Sequence, residues 1–214
     1  GLVTTPTLGI SVKNLQVAAP GAKVFCRVLV RNTGALWPLS EKFGCSAEMA
    51  CELLVKADQC GLEAYGVSFH VGSQQTNVRQ WESAVERMAL IFTNLQANGI
   101  RLKSLNLGGG FPVRYLRDVP KVEELAFSIK ETLAKNFGKE LPAIMLEPGR
   151  YITADAGLLR SEVVLVSKKS HKAEERWVYL DVGKFGGLAE TMNEAIRYPL
   201  RTRKDDSAKG PVII

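Results

Sequence analysis

Apolar residues recur along this chain at two spacings, and the spacing switches repeatedly between Ala22 and about Gly157. Short runs rich in β-branched and aromatic residues read as strands: Lys23 to Val30, Tyr65 to Val71, Ser104 to Leu107 and Ala143 to Leu146. Longer stretches with helical spacing lie between them. Met49, Leu53, Leu54 and Ala57 form an apolar stripe on a helix from about Ala47 to Cys60, which Ser46 can cap and Gly61 ends. Trp81, Val85, Met88, Phe92 and Leu95 share one face of a helix over Val78 to Asn98, stopped by Gly99. A further helix is expected from about Val122 to Phe137.

Strand and helix in alternation predict repeated βα units on a parallel sheet, an α/β fold. In that architecture the carboxyl ends of the strands are where the connecting loops meet a ligand. The pattern therefore gathers Arg27 from the first strand, His70 and Ser73 from after the second, Gly108 to Gly110 from after the third, and Glu147 to Arg150 from after the fourth. Beyond about Gly157 the pattern changes. Leu159 to Lys168 and Arg176 to Val182 are strands separated only by the charged stretch Lys169 to Glu175, which suits antiparallel pairing and marks a domain boundary.

Composition narrows the function classes. The net charge of +6 is scattered, except for Arg197, Arg201, Arg203 and Lys204, which alternate with apolar residues and precede Asp205-Asp206. That reads as a solvated loop, and no nucleic-acid partner is expected. No apolar run nears the roughly 20 residues that span a bilayer, and Gly1 to Pro6 lacks the order of a signal peptide, so no membrane partner is expected and a cytoplasmic location is. The four cysteines, Cys26, Cys45, Cys51 and Cys60, form no C-x-x-C pair and read as reduced thiols; with only His70 and His171 as histidines, no metal site is expected.

Three segments could carry chemistry. Gly108-Gly109-Gly110-Phe111 follows a strand directly and can bring backbone N–H groups close to an anion, since glycine lacks the Cβ that would block the approach. Taken alone it is equally a tight turn, and it is neither a P-loop nor the G-x-G-x-x-G dinucleotide pattern. Glu147-Pro148-Gly149-Arg150 sets an acid and a base three positions apart on a rigid turn, to close the turn as an ion pair or to hold a phosphate and a cationic ring nitrogen. His70 closes a strand as a hydrogen-bonding residue or a catalyst. Ser68 is no hydrolase nucleophile, because G-x-S-x-G needs glycine where His70 stands.

As an ordered set, these motifs resemble the pyridoxal 5'-phosphate (PLP) dependent decarboxylases of the alanine-racemase-like barrel fold, specifically the bacterial ornithine/lysine branch. The matching stretches are Val24 to Arg27, Pro38 to Gly44 (PLSEKFG), Gly66 to Gln74 (GVSFHVGSQ), Leu105 to Pro112 (LNLGGGFP), Glu147 to Tyr151 (EPGRY) and Tyr179 to Thr191 (YLDVGKFGGLAET). The resemblance implies a partial PLP-binding (β/α)8 TIM barrel of about four βα units over residues 20–158. The start of a C-terminal β-sandwich or barrel domain would follow over 159–214, with residues 1–19 matching poorly.

It implies further that His70 stacks on the PLP ring and that Ser73, Gly110, Gly149 and Arg150 bind the phosphate, with Gly108 and Gly109 also among the cofactor-binding residues. Glu147 would pair with the pyridine nitrogen, Arg27 would orient Glu147 or the ring, and His70 and Glu147 would be the catalytic pair. Tyr198 is a candidate substrate contact, or a packed tyrosine. Asn106 stands where many relatives have Asp. The implied reaction is decarboxylation of ornithine to putrescine or lysine to cadaverine in polyamine biosynthesis, by a homodimer. The family's Schiff-base lysine, in a Tyr-Ala-x-Lys-like motif, and its interface Cys-Asp pair are both expected to be missing from this chain, which is then inactive alone. A regulatory non-catalytic homologue or a pseudogene product, and an α/β protein binding another phosphate ligand, are the alternatives.

Overall fold

The computed structural model describes residues 2–5, 9–38 and 43–214, and side chains from Val12 onward within them. Of the matching stretch Pro38 to Gly44, Leu39 to Lys42 lie outside the described residues. The chain divides into two compact units, residues 1–113 with 119–154, and residues 114–118 with 155–214.

The first unit is a five-stranded parallel sheet. Its strands are β1 (Leu2–Thr5), β2 (Lys23–Arg27), β4 (Glu63–Ser68), β6 (Ser104–Asn106) and β7 (Ala143–Met145), hydrogen-bonded in that order. The helices α1 (Gly9–Ala18), α2 (Ala47–Gln59), α3 (Arg79–Ala97) and α4 (Val122–Phe137) connect successive strands. The first 19 residues, expected to match poorly, contain β1, which pairs with β2 from Leu2↔Lys23 to Thr5↔Cys26. Val12 of α1 is buried in the common core, so this segment supplies a βα unit of its own.

Each helix forms for the reasons its sequence suggests. The Oγ of Ser46 accepts from the backbone N–H of Met49, 3.2 Å away, and caps α2. On α3 the residues Trp81, Val85, Met88 and Leu95 are buried, and Phe92 meets Phe137 of α4 edge-on at 5.1 Å. The core lies between these helices and one face of the sheet, where Val24, Cys26, Val67 and Leu105 point.

The opposite face of the sheet carries other chemistry. Side chains alternate along a strand, so Phe25 and Arg27 of β2 point away from Val24 and Cys26. The register aligns Arg27 with Ser68, Ser68 with Asn106, and Asn106 with Met145. Gly66 makes room there. A Cβ on it would sit 2.6 Å from Cε1 of Phe25 and 2.2 Å from the carbonyl oxygen of Ser104. The expected strand Lys23 to Val30 ends early, at Arg27: Val28 N–H still donates to the Ser68 oxygen, but on the other side Cys45 N–H donates to the Arg27 oxygen and Leu29 N–H donates to the Cys45 oxygen. A short antiparallel pair, β3 (Ala35–Trp37) with β5 (Ser73–Gln75), follows these strand ends and has no counterpart in the sequence pattern.

The second unit holds a three-stranded sheet in which β8 (Val163–Ser167) runs antiparallel to β9 (Arg176–Leu180), as the spacing predicts, and β10 (Val212–Ile213) runs parallel to β9. Within this unit Tyr198 donates its hydroxyl to a carboxylate oxygen of Glu190 at 3.0 Å, and its ring meets Tyr115 edge-on.

Candidate cofactor site at the strand ends

The strand ends of the first unit bring the sequence-selected residues into one linked group. The connection after β6 is the hub. Gly108 adopts φ +64° and Gly110 φ +92°, a region that glycine enters without strain. A Cβ on Gly108 would lie 2.2 Å from the carbonyl oxygen of Phe69, and one on Gly110 would lie 2.4 Å from that of Gly72. Between them, a Cβ on Gly109 would come within 2.4 Å of the carbonyl oxygen of Glu147 and 3.3 Å of the Nε2 of His70. Only glycines let the loops after β4, β6 and β7 close this tightly.

His70 sits in the loop after β4 as a half-buried ring. Its Nδ1 accepts a hydrogen bond from the backbone N–H of Gly72 at 2.9 Å, which leaves the ring proton on Nε2. Burial, and next the charge of Arg27, press its pKa below the ordinary 6.5, while Glu147 opposes them. The ring is therefore held neutral. Burial likewise lowers the Arg27 pKa while the Glu147 charge raises it, so Arg27, His70 and Glu147 share one electrostatic field. Arg27 also stacks its guanidinium over the ring of Phe43, 5.7 Å from the centroid.

Glu147 follows β7 and is held at both ends. Its backbone N–H donates to the Gly108 oxygen at 2.9 Å, and its Oε1 accepts from the Asn106 side-chain amide at 2.8 Å. Gly149 donates its N–H to the Glu147 carbonyl at 2.8 Å, forming the turn that presents Arg150. The guanidinium of Arg150 in turn donates to the Oγ of Ser73 from both Nε, at 3.2 Å, and Nη2, at 2.9 Å. Ser73 and Arg150 thus meet across 77 residues of sequence.

Two residues of this arrangement carry more than the sequence analysis gives them. Gln74, buried and at φ +54°, holds Val113 by two bonds: Nε2 donates to the Val113 carbonyl at 2.5 Å, and Oε1 accepts its N–H at 3.0 Å. The other is Asn106. Tyr198 belongs to the second unit, and its contacts are the ones described there.

A hydroxyl and a guanidinium beside a glycine turn, a neutral imidazole and a carboxylate near a second cation make a donor set for a ligand with one anionic group and one protonated ring nitrogen. The observed geometry fits PLP in these respects: Ser73 and Arg150 lie together as the anion donors, the glycines bring backbone close, and Glu147 stands separately. The fold and site therefore define a parallel βα protein with a candidate site for an anionic group and a protonated ring nitrogen at its strand ends.

Comparison with known proteins supplies the family. Residues 8–154 match the pyridoxal binding domain of the pyridoxal-dependent decarboxylases. The chain belongs to that family, and its cofactor is PLP. It is 34% identical over 207 residues to a lysine/ornithine decarboxylase of Selenomonas ruminantium, matching 94% of this chain and 51% of the relative. A diaminopimelate decarboxylase of Pseudomonas fluorescens is 38% identical over 132 residues, 61% of this chain and 31% of that protein. Among solved structures, the Selenomonas ruminantium lysine decarboxylase SrLDC in complex with PLP and cadaverine superposes with TM-score 0.76 at 31% identity, covering 92% of this chain and 49% of that one. The chain spans about half the length of the curated relative first named, 51% of it. Among the described residues no helix is long and apolar enough to cross a membrane.

Proposed function

We propose that this chain forms the cofactor-binding part of a PLP-dependent decarboxylase of basic amino acids, converting ornithine to putrescine, lysine to cadaverine, or both. The observation that carries the reading is the joining, at adjacent strand ends, of the Ser73–Arg150 donor pair with the Asn106-held carboxylate of Glu147. Ser73, Arg150 and the backbone of Gly108 to Gly110 and Gly149 would hold the phosphate. Glu147 would hold a proton on the pyridine nitrogen, with Arg27 tuning its field and the neutral ring of His70 packing on the cofactor face. Bound there, PLP supplies a sink for the electron pair released when the substrate α-carboxylate departs as CO₂.

The relatives' names support a basic substrate over other amino acids: a lysine/ornithine decarboxylase matches over 94% of the chain, the diaminopimelate enzyme over 61%. The resemblance further supports a cytoplasmic homodimer in polyamine synthesis, with Tyr198 as a substrate contact. No Tyr-Ala-x-Lys sequence occurs among the 214 residues, so we infer that these residues alone do not turn over substrate.

The test is a titration of the 214-residue chain with PLP, followed by cofactor absorbance and tryptophan quenching. Glu147→Gln and Arg150→Ala should each weaken binding, and only Arg150→Ala should weaken competition by inorganic phosphate. PLP affinity indifferent to both changes refutes the site. Formation of putrescine or cadaverine by the 214 residues alone, at rates typical of enzymes, refutes the inference that they are inactive.

A further inference from the structure

The geometry points to Asn106 as the positioning residue of this site, a role that rests on the reading of Glu147 as the group facing the pyridine nitrogen. We propose that its side-chain amide fixes the Glu147 carboxylate to the glycine turn and does so as an obligatory donor. Asn106 is the last residue of β6, and it is only 4% exposed. Its Nδ2 donates to Oε1 of Glu147 at 2.8 Å, and its Oδ1 accepts the N–H of Gly108 at 2.9 Å. The circuit closes through the backbone, since Glu147 N–H donates to the Gly108 carbonyl at 2.9 Å.

The two neighbours settle which way the amide points. A backbone N–H can only donate and an ionised carboxylate can only accept, so oxygen must face Gly108 and nitrogen must face Glu147. No other assignment satisfies both.

Aspartate has the same shape and would keep the bond from Gly108. Toward Glu147 it would set acceptor against acceptor, and two carboxylates at that distance coexist only by sharing a proton. Among the described residues, the groups electrostatically coupled to Glu147 include the Arg27 guanidinium from β2 and the neutral His70 ring from the loop after β4. Neither donates the bond that Asn106 makes. This chain's asparagine therefore gives the carboxylate a neutral donor at every pH, where an aspartate would supply one only while protonated.

Asn106→Asp tests this without any turnover assay. PLP affinity of wild type and variant is measured from pH 5.5 to 8.5, with inorganic phosphate as a second probe. Expressing the result as the variant to wild-type ratio at each pH cancels the titration of His70 and of PLP itself. The expected ratio is about tenfold weaker PLP binding at pH 8, the scale of one lost hydrogen bond to a charged group, shrinking as the pH falls and the proton is shared. Phosphate binding stays within about twofold. A ratio of one throughout, or a loss constant with pH as structural damage would give, overturns the proposal.

Should Asn106→Asp not fold, Asn106→Ser takes its place. A serine cannot make both bonds, so weakened PLP binding with unchanged phosphate binding supports the role, and full PLP affinity overturns it. The control Glu147→Gln separates the two readings. If that change leaves PLP affinity intact, the reading of Glu147 fails, and the ¹³C shift of the Glu147 carboxyl in the PLP-free Asn106→Asp protein decides the positioning role. A coupled two-step titration supports it, and a single step overturns it.

Discussion

Replacing Gly108 by alanine isolates how much of the site depends on the close approach of three loops, because Gly61 offers a matched control. Both glycines sit at similar positive φ, +64° for Gly108 and +74° for Gly61. An alanine at either position pays about 1–2 kcal/mol for the left-handed conformation. Their surroundings differ. A Cβ at Gly61 meets nothing within 4 Å, whereas at Gly108 it lies 2.2 Å from the Phe69 carbonyl oxygen and 3.1 Å from the Cα of His70. Those obstacles are backbone and cannot swing aside as a side-chain end would. Overpacking of that kind adds about 1–3 kcal/mol, so Gly108→Ala should cost about 2–5 kcal/mol and Gly61→Ala about 1–2 kcal/mol.

The assay is urea unfolding of each variant by far-UV circular dichroism, with amide exchange at Leu105 and Val67 to place the loss in the first unit. The variant that relieves its clash by moving His70 should also lose PLP affinity, while Gly61→Ala should keep it. Equal destabilisation by the two substitutions would refute the close-packing argument. So would undiminished PLP binding by Gly108→Ala.

Other expectations follow from the same contacts. His70 has a folded pKa below its unfolded value near 6.5 through burial and Arg27. The stability it contributes is complete above that pH and is lost as the pH falls through the lower folded value, when protonation also ends the bond from Gly72. His70→Gln should flatten that part of the pH–stability curve measured by thermal melts from pH 5 to 8; an unchanged slope would count against it. Arg150→Lys keeps the charge but loses the two-pronged grip on Ser73, and PLP affinity should fall about tenfold or more. If lysine substitutes fully, charge alone suffices there. Gln74→Leu removes both bonds to Val113 and should destabilise by about 1 kcal/mol, the scale of a lost hydrogen bond to half-buried backbone groups, read by the same urea titration.

Much of the fold was legible because its signals are local. The helix over Val122 to Phe137 and the strand at Ser104 are written in apolar spacing and turn residues that need no distant partner, and the structure places them at Val122–Phe137 and Ser104–Asn106. The β3–β5 pair was not legible. Ala35–Trp37 and Ser73–Gln75 are three residues each, too short for any periodicity, and they exist because of pairing across a long separation. The early end of β2 has the same character. Val28 to Val30 look like strand in sequence; Val28 still donates its N–H to Ser68, and Leu29 pairs with Cys45, a partner invisible at this distance in sequence.

The site divides along the same line. Parallel strands predict that Arg27, His70, the glycines and Glu147 share one end of the sheet, and they do, since chain direction alone decides it. Which atoms meet is decided by register and by loop closure, and neither is visible one residue at a time. Asn106 shows the difference most sharply. In sequence it is an asparagine where many relatives have aspartate, a departure that argues against a role. In the folded chain the register brings it level with Ser68 and Arg27, and the glycine turn hands it a donor on one side while Glu147, just after β7, hands it an acceptor on the other. A residue with one donor and one acceptor in a fixed plane is what that gap requires. The substitution therefore alters how the carboxylate is held while leaving the hydrogen-bond circuit whole.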